Sequence, residues 1–66
     1  MLGTIRTLRV DKGFGFIKGE TGQDYFFHQS ELHGGLVFID VEEGQRVIFD
    51  PQEGPKGPRA VNIRPA

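Results

Sequence analysis

The chain contains no cysteine, which excludes a disulfide framework, a thiolate zinc site, a nucleophilic thiol and an iron–sulfur cluster together. Histidine is scarce as well. His28 and His33 are the only two, and without cysteine or a tight histidine–carboxylate spacing no metal site is expected. There is no tryptophan, so binding of a ligand cannot be followed by tryptophan quenching. Long apolar runs are missing too. The longest, Leu36 to Ile39, is far short of the ~18 residues that suggest a membrane span. Arg6 and Arg9 interrupt the region where a secretory signal would carry an apolar run of about 7 to 15 residues. A cytoplasmic protein with no membrane partner is the expectation. Finally, no excess of one charge exists: eight Lys plus Arg face nine Asp plus Glu, a net charge of −1, so total charge gives no sign of a partner.

What is present is glycine, proline and phenylalanine. The 66 residues suffice for one small domain, read here as residues 1–66. Met1 and the lack of any linker are what a complete chain would show. Ten Gly and four Pro leave little room for long helices but stay below the roughly 25–30% typical of low-complexity segments. The charge is also segregated. Residues 1–18 hold Arg6, Arg9, Lys12 and Lys18 against Asp11, or +3. Residues 19–53 hold eight acids against Arg46, or −7, and residues 54–66 hold Lys56, Arg59 and Arg64 with no acid, or +3. If the two basic ends meet in the fold, they make one face that can approach phosphates.

Leu2 to Val10 reads as a strand that bends or changes face, because Leu2, Leu8 and Val10 share a parity that Ile5 does not. Asp11-Lys12-Gly13 is a turn. Phe14 to Lys18 is a second strand, since each glycine of Gly-Phe-Gly-Phe would cost a helix about 1 kcal/mol relative to alanine. After a turn at Glu20–Gln23, Asp24 to His28 is a third strand, Ser30 to Leu32 has room for one helical turn, and His33 to Glu43 is a long loop. Gln45 to Asp50 is a fourth strand ended by Pro51, which cannot donate to a ladder. Glu53 to Pro58 is a proline-stiffened loop and Arg59 to Ile63 a fifth strand. No amphipathic helix and no internal repeat is visible. Five short strands with a long connection after the third predict an all-β chain, a small Greek-key barrel of the oligonucleotide-binding (OB) type. Ile5, Ile17, Phe27, Val47, Phe49, Val61 and Ile63 are the expected core.

The segment Lys12-Gly13-Phe14-Gly15-Phe16-Ile17-Lys18 carries the functional signal. Strand alternation puts Lys12, Phe14, Phe16 and Lys18 on one face and Gly13, Gly15 and Ile17 on the other. A core face does not carry lysines at both ends, so the phenyl rings belong on the outside with Ile17 inside. In the third strand the same parity groups Phe26 with His28 and opposes them to Tyr25 and Phe27. If the two strands pair, Phe14, Phe16, Phe26 and His28 lie side by side. Flat rings on a rigid sheet flanked by Lys and Arg suit unstacked bases, each stacked base contributing roughly 1–3 kcal/mol. Other chemistries find less support. Ser30, two residues from His28 on a strand end, lacks the geometry of a base-activated nucleophile and has no oxyanion loop nearby. Neither Gly34-Gly35 nor Gly13-Phe14-Gly15 precedes a helix as a phosphate loop would. No enzyme activity, cofactor or small-molecule substrate is expected.

Lys12 to Ile17 followed by Phe26-Phe27-His28 resembles the paired ribonucleoprotein motifs of the cold-shock domain, and the likeness runs over nearly the whole chain. Glu43-Gly44-Gln45 and Gly54-Pro55-Lys56-Gly57-Pro58 before Arg59-Ala60-Val61-Asn62-Ile63 are also family-like. The resemblance implies a monomeric five-stranded barrel that binds single-stranded RNA and DNA without catalysis, as a nucleic-acid chaperone or a regulator of transcription and translation. By position, it implies that Lys12, Phe14, Phe16, Phe26 and His28 form the binding face, with Phe38 as the loop aromatic. Arg6, Lys56 and Arg59 match or neighbour positions that reach the phosphate backbone. Two departures stand out. Thr7 and Leu8 occupy positions where the family usually has Trp and Phe, and Gln29 stands where it usually has Phe. The loss of two stacking platforms, at roughly 1–3 kcal/mol each, predicts weaker or shorter-footprint binding. Gln29 offers a hydrogen bond to a base edge instead. The competing expectation is an OB-type protein-interaction module with little nucleic-acid affinity.

Overall fold

The computed structural model describes all 66 residues. Five strands form: β1 (Leu2–Arg9), β2 (Phe14–Gly19), β3 (Asp24–His28), β4 (Arg46–Gly54) and β5 (Gly57–Pro65). A single 3-10 turn, Gln29–Glu31, follows β3. The strands close into a barrel in the order β1-β2-β3-β5-β4. All neighbours are antiparallel except β3 and β5, which run parallel with Phe26 opposite Arg59. The strands that carry the basic ends of the sequence, β1 and β5, thereby flank β2 and β3 on either side.

Alternation on β2 and β3 sends Ile17, Tyr25 and Phe27 inward. They meet Ile5, Val41, Val47, Phe49, Ala60 and Ile63 in one buried cluster. Gly15 also faces inward. A Cβ there would overlap the Thr7 carbonyl oxygen and lie 2.8 Å from the Phe27 ring, so β1, β2 and the core ring can approach this closely only around a glycine.

The bend expected in β1 is a bulge. Ile5 pairs with Ile17 but Thr7 pairs with Phe16, leaving Arg6 unopposed. A second irregularity alters the expected core. Ile48 pairs with Arg64 and Asp50 with Val61, so Asn62 and Ile63 together face Phe49. Asn62 takes up the extra residue with φ 51°, a left-handed conformation that asparagine tolerates better than most residues. The phase of β5 shifts there, and Ala60 and Ile63 point inward while Val61, expected in the core, is only half-buried.

β4 does not end at Pro51. It runs on to Gly54, with Pro51 opposite Ala60. Pairing with β1 stops at Ile48, so this part of β4 is a free edge, where a residue without an N–H is tolerated. The expected loop 53–58 contracts accordingly to a tight hairpin, Gly54 opposite Gly57 with Pro55-Lys56 between.

Candidate nucleic-acid interface

The outer surface of β1, β2 and β3 is a grid fixed by register. One row reads Arg9, Phe14, His28; the next reads Thr7, Phe16, Phe26 and, on β5, Arg59; a third reads Thr4, Lys18, Asp24. Phe14, Phe16 and Phe26 are each half-buried and His28 is exposed. The three phenyl rings support one another, with centroids 5.4 Å apart for Phe14–Phe26, 5.9 Å for Phe16–Phe26 and 6.2 Å for Phe14–Phe16. The last two pairs are edge-to-face, a preferred arrangement of aromatic quadrupoles. Each ring is thus braced by its neighbours while part of its surface stays in water.

His28 is positioned by the turn that follows. Its Nδ1 accepts the Ser30 backbone N–H at 3.1 Å and lies 2.9 Å from Ser30 Oγ. Gln29 folds over the Asp11–Gly13 turn. Its N–H donates to the Gly13 carbonyl at 2.8 Å, and its amide nitrogen lies 2.7 Å from where a Gly13 Cβ would be. Lys12 is exposed on the same turn.

Arg6 is the predicted cation whose charge is already engaged. From the β1 bulge it reaches across β2 to Asp24 on β3, 3.1 and 3.3 Å from the two carboxylate oxygens. On the other flank, Lys56 and Arg59 line a groove with Phe16, Phe26, Pro55, Gly57 and Pro58. Phe38 stands apart from these rings. It is half-buried in the long loop and packs edge-on against core Phe27, 6.4 Å between centroids. The structure therefore brings together Phe14, Phe16, Phe26, His28, Lys12, Gln29, Lys56 and Arg59, and sets Phe38 against the core.

Arg9 was not among the expected site residues, yet it lies directly opposite Phe14. Its signal was available: Arg9 shares a parity with Thr7, beyond the bulge, and the Asp11–Gly13 turn folds it back onto Phe14. One carboxyl elsewhere is perturbed. The Asn62 amide, donating to Asp50 at 3.1 Å, together with the Arg64 charge, holds the Asp50 carboxyl below its ordinary range.

The sequence model of the 'Cold-shock' DNA-binding domain matches residues 1–66. The chain belongs to the cold-shock domain family. Members of this family are nucleic-acid-binding proteins rather than enzymes. Similar proteins include a major cold shock protein of Streptococcus pyogenes serotype M1, 51% identical over 61 residues, covering 92% of this chain and 90% of that one. Cold shock protein 2 of Lactiplantibacillus plantarum is 44% identical over 63 residues, covering 96% and 94%. Cold shock protein CspC of Bacillus subtilis is 41% identical over 64 residues, covering 97% and 96%. Among solved structures, drosophila Unr CSD456 superposes with a TM-score of 0.74 at 24% identity, over 98% of this chain and 26% of that longer one. That likeness concerns the fold, and it agrees with the closed all-β barrel of the OB type. No helix here is long and apolar enough to cross a membrane.

Within the cold-shock frame, the two departures fall at opposite sides of the ring cluster. Thr7 pairs with Phe16 at the β1 edge, and Leu8 turns its side chain onto the core. Gln29 follows His28 at the end of β3.

Proposed function

We propose that this cold-shock domain binds single-stranded RNA and DNA in the cytoplasm, as a monomer, by stacking bases on Phe14, Phe16, Phe26 and His28. The observation that carries this reading is the cluster of three mutually braced, half-exposed phenyl rings between Arg9 and Lys12 on one side and Arg59 and Lys56 on the other. Bases of either sugar stack on such rings, so RNA and DNA are both ligands. Phe38 is a further ring for the strand to meet at the loop. Arg6 contributes to the phosphates when it exchanges Asp24 for one of them.

In the cell, the protein acts as an RNA chaperone or as a regulator of transcription or translation. It uses no ATP and no cofactor, so it melts secondary structure only by binding the open strand better than the paired one. Its effect is bounded by that difference and by its concentration.

The test is fluorescence anisotropy of a labelled, pyrimidine-rich single-stranded heptamer titrated with the protein at several salt concentrations. Two to four neutralised phosphates give a slope of log affinity against log salt of roughly −1.5 to −3. Absence of saturable binding at low salt by folded protein would reject this reading in favour of a protein-interaction module.

A further inference from the structure

The ring of strands has one joint unlike the others. β1–β2, β2–β3, β4–β5 and β1–β4 are antiparallel ladders. The β1–β4 ladder is lengthened at its ends, where the Phe49 N–H donates to the Met1 carbonyl at 2.8 Å and the Ile5 N–H to the Gln45 carbonyl at 2.9 Å. The parallel joint has Phe26 opposite Arg59, and no further backbone pairing until Leu32 bridges to Ile63 and the His33 N–H reaches the Ile63 carbonyl at 2.6 Å. Phe27, Ala60 and Ile63 are buried in the core beneath this gap, a contact that is apolar and non-directional.

One side-chain hydrogen bond crosses the gap. Asn62 stands at the β5 bulge with φ 51°, and its backbone N–H donates at 3.2 Å to Oε1 of Glu31, on the 3-10 turn after β3. The other polar groups of Asn62 are spent on the β4–β5 hairpin. Its amide donates to Asp50 at 3.1 Å and its carbonyl accepts from Arg64 at 2.7 Å. Asn62 is thus tied to its own hairpin by two bonds and to the β3 side by Glu31 alone.

A local opening costs the bonds and buried contacts that it gives up. Parting β3 from β5 breaks fewer backbone pairings than parting any other two neighbours, and it leaves an open antiparallel sheet, β3-β2-β1-β4-β5, with every ladder intact.

We propose that the barrel opens and recloses at the β3–β5 joint while its ladders stay formed, and that Glu31, by holding the Asn62 N–H, is the latch that sets how often it opens. Removing the carboxylate takes a bond from the closed form and none from the open one, so the open population rises. The opening belongs to the free protein and involves no oligonucleotide.

The experiment is native-state amide exchange by NMR in low urea, on wild type, Glu31→Ala and Glu31→Gln, with global stability measured by urea unfolding. The His33 amide and the amide bonded across the Phe26–Arg59 pair report the joint, and the Ile5 amide reports the β1–β4 ladder. In wild type the two joint amides exchange together, faster than Ile5 and with less response to urea, because a local opening exposes little new surface. Glu31→Ala speeds both joint amides about three- to tenfold, the scale of one net hydrogen bond, and lowers global stability by the same factor, since full unfolding breaks that bond too. Glu31→Gln, whose side-chain carbonyl also accepts an N–H, restores most of the difference. Joint and Ile5 amides with one rate and one urea response would mean that opening is global, and overturn the proposal. So would faster exchange at His33 without the Phe26–Arg59 amide, which is fraying of the turn. A fall in global stability with unchanged joint rates, no effect of Glu31→Ala at all, or a loss in Glu31→Gln as large as in alanine overturns the latch.

Discussion

Replacing Phe16 by alanine separates the role of the ring surface from that of the barrel beneath it. Phe16 occupies the middle row, opposite Thr7 and Phe26, and touches both other outer rings. Loss of one stacking platform weakens oligonucleotide binding by about 1–3 kcal/mol, roughly 5- to 150-fold. The same substitution removes two edge-to-face contacts, each worth about 0.5–1.5 kcal/mol beyond the apolar area they cover, so folding stability falls by at least about 1–3 kcal/mol. A domain of this size has a total stability of about 3–10 kcal/mol, so the variant's fold is verified by circular dichroism before its binding is compared. Phe16→Leu distinguishes the two effects, because leucine keeps apolar cover over the sheet but presents no π-face. Leucine should recover much of the stability and little of the binding. The assay is heptamer anisotropy at low salt, paired with urea unfolding followed by circular dichroism. Binding by folded Phe16→Ala within about twofold of wild type, well under the 1 kcal/mol minimum for a lost stack, would refute the role of the rings.

Thr7→Trp restores an aromatic at the β1 edge opposite Phe16; affinity should rise by about 1–3 kcal/mol, and quenching of the introduced indole by added oligonucleotide reports whether a base reaches it. Asp24→Asn releases Arg6 from its ion pair; affinity at low salt should rise within the ~0.2–1 kcal/mol range of an exposed pair, with a steeper salt dependence, and an unchanged salt slope would show that Arg6 does not reach a phosphate. The Asp50 carboxyl, held low by the Asn62 amide and the Arg64 charge, contributes stability that is fully present above its unfolded-state pKa and is lost as pH falls through the lower folded-state value. Urea midpoints measured through the acid range should fall less steeply for Asn62→Ala than for wild type, and parallel curves would contradict this.

The outer ring row was legible because it depends only on local alternation. Lys12 to Lys18 and Asp24 to His28 carry their facing in their own parity, and the short turn between β2 and β3 leaves one way to pair them. Parity fails where a bulge intervenes. Val61 is among the expected core residues and shares the parity of Ile63, but Asn62 absorbs one residue and Ala60 takes the inward position. Pro51 was read as a strand end because its own chemistry forbids a ladder bond. Whether that matters depends on β1 having run out at Ile48, which is a fact about a distant strand. The site divides in the same way. The phenyl cluster followed from its motifs, whereas the place of Arg9 opposite Phe14, the engagement of Arg6 by Asp24 and the packing of Phe38 on Phe27 are set by partners distant in sequence.

The barrel closes where β3 meets β5, and that seam has little backbone pairing: Phe26 opposite Arg59, then a bridge from Leu32 to Ile63 beyond the end of β3. The remaining joints of the barrel are antiparallel ladders of greater length. Phe26 and Arg59 are also the two sides of the junction between the ring surface and the hairpin groove. In the proposed mode, a strand that stacks on one and places its phosphate on the other would fasten the least-paired joint of the barrel from outside. On the proposed binding mode, a bound oligonucleotide is expected to work as a removable clasp, raising the unfolding midpoint with its concentration as mass action requires and slowing amide exchange first along β3 and β5.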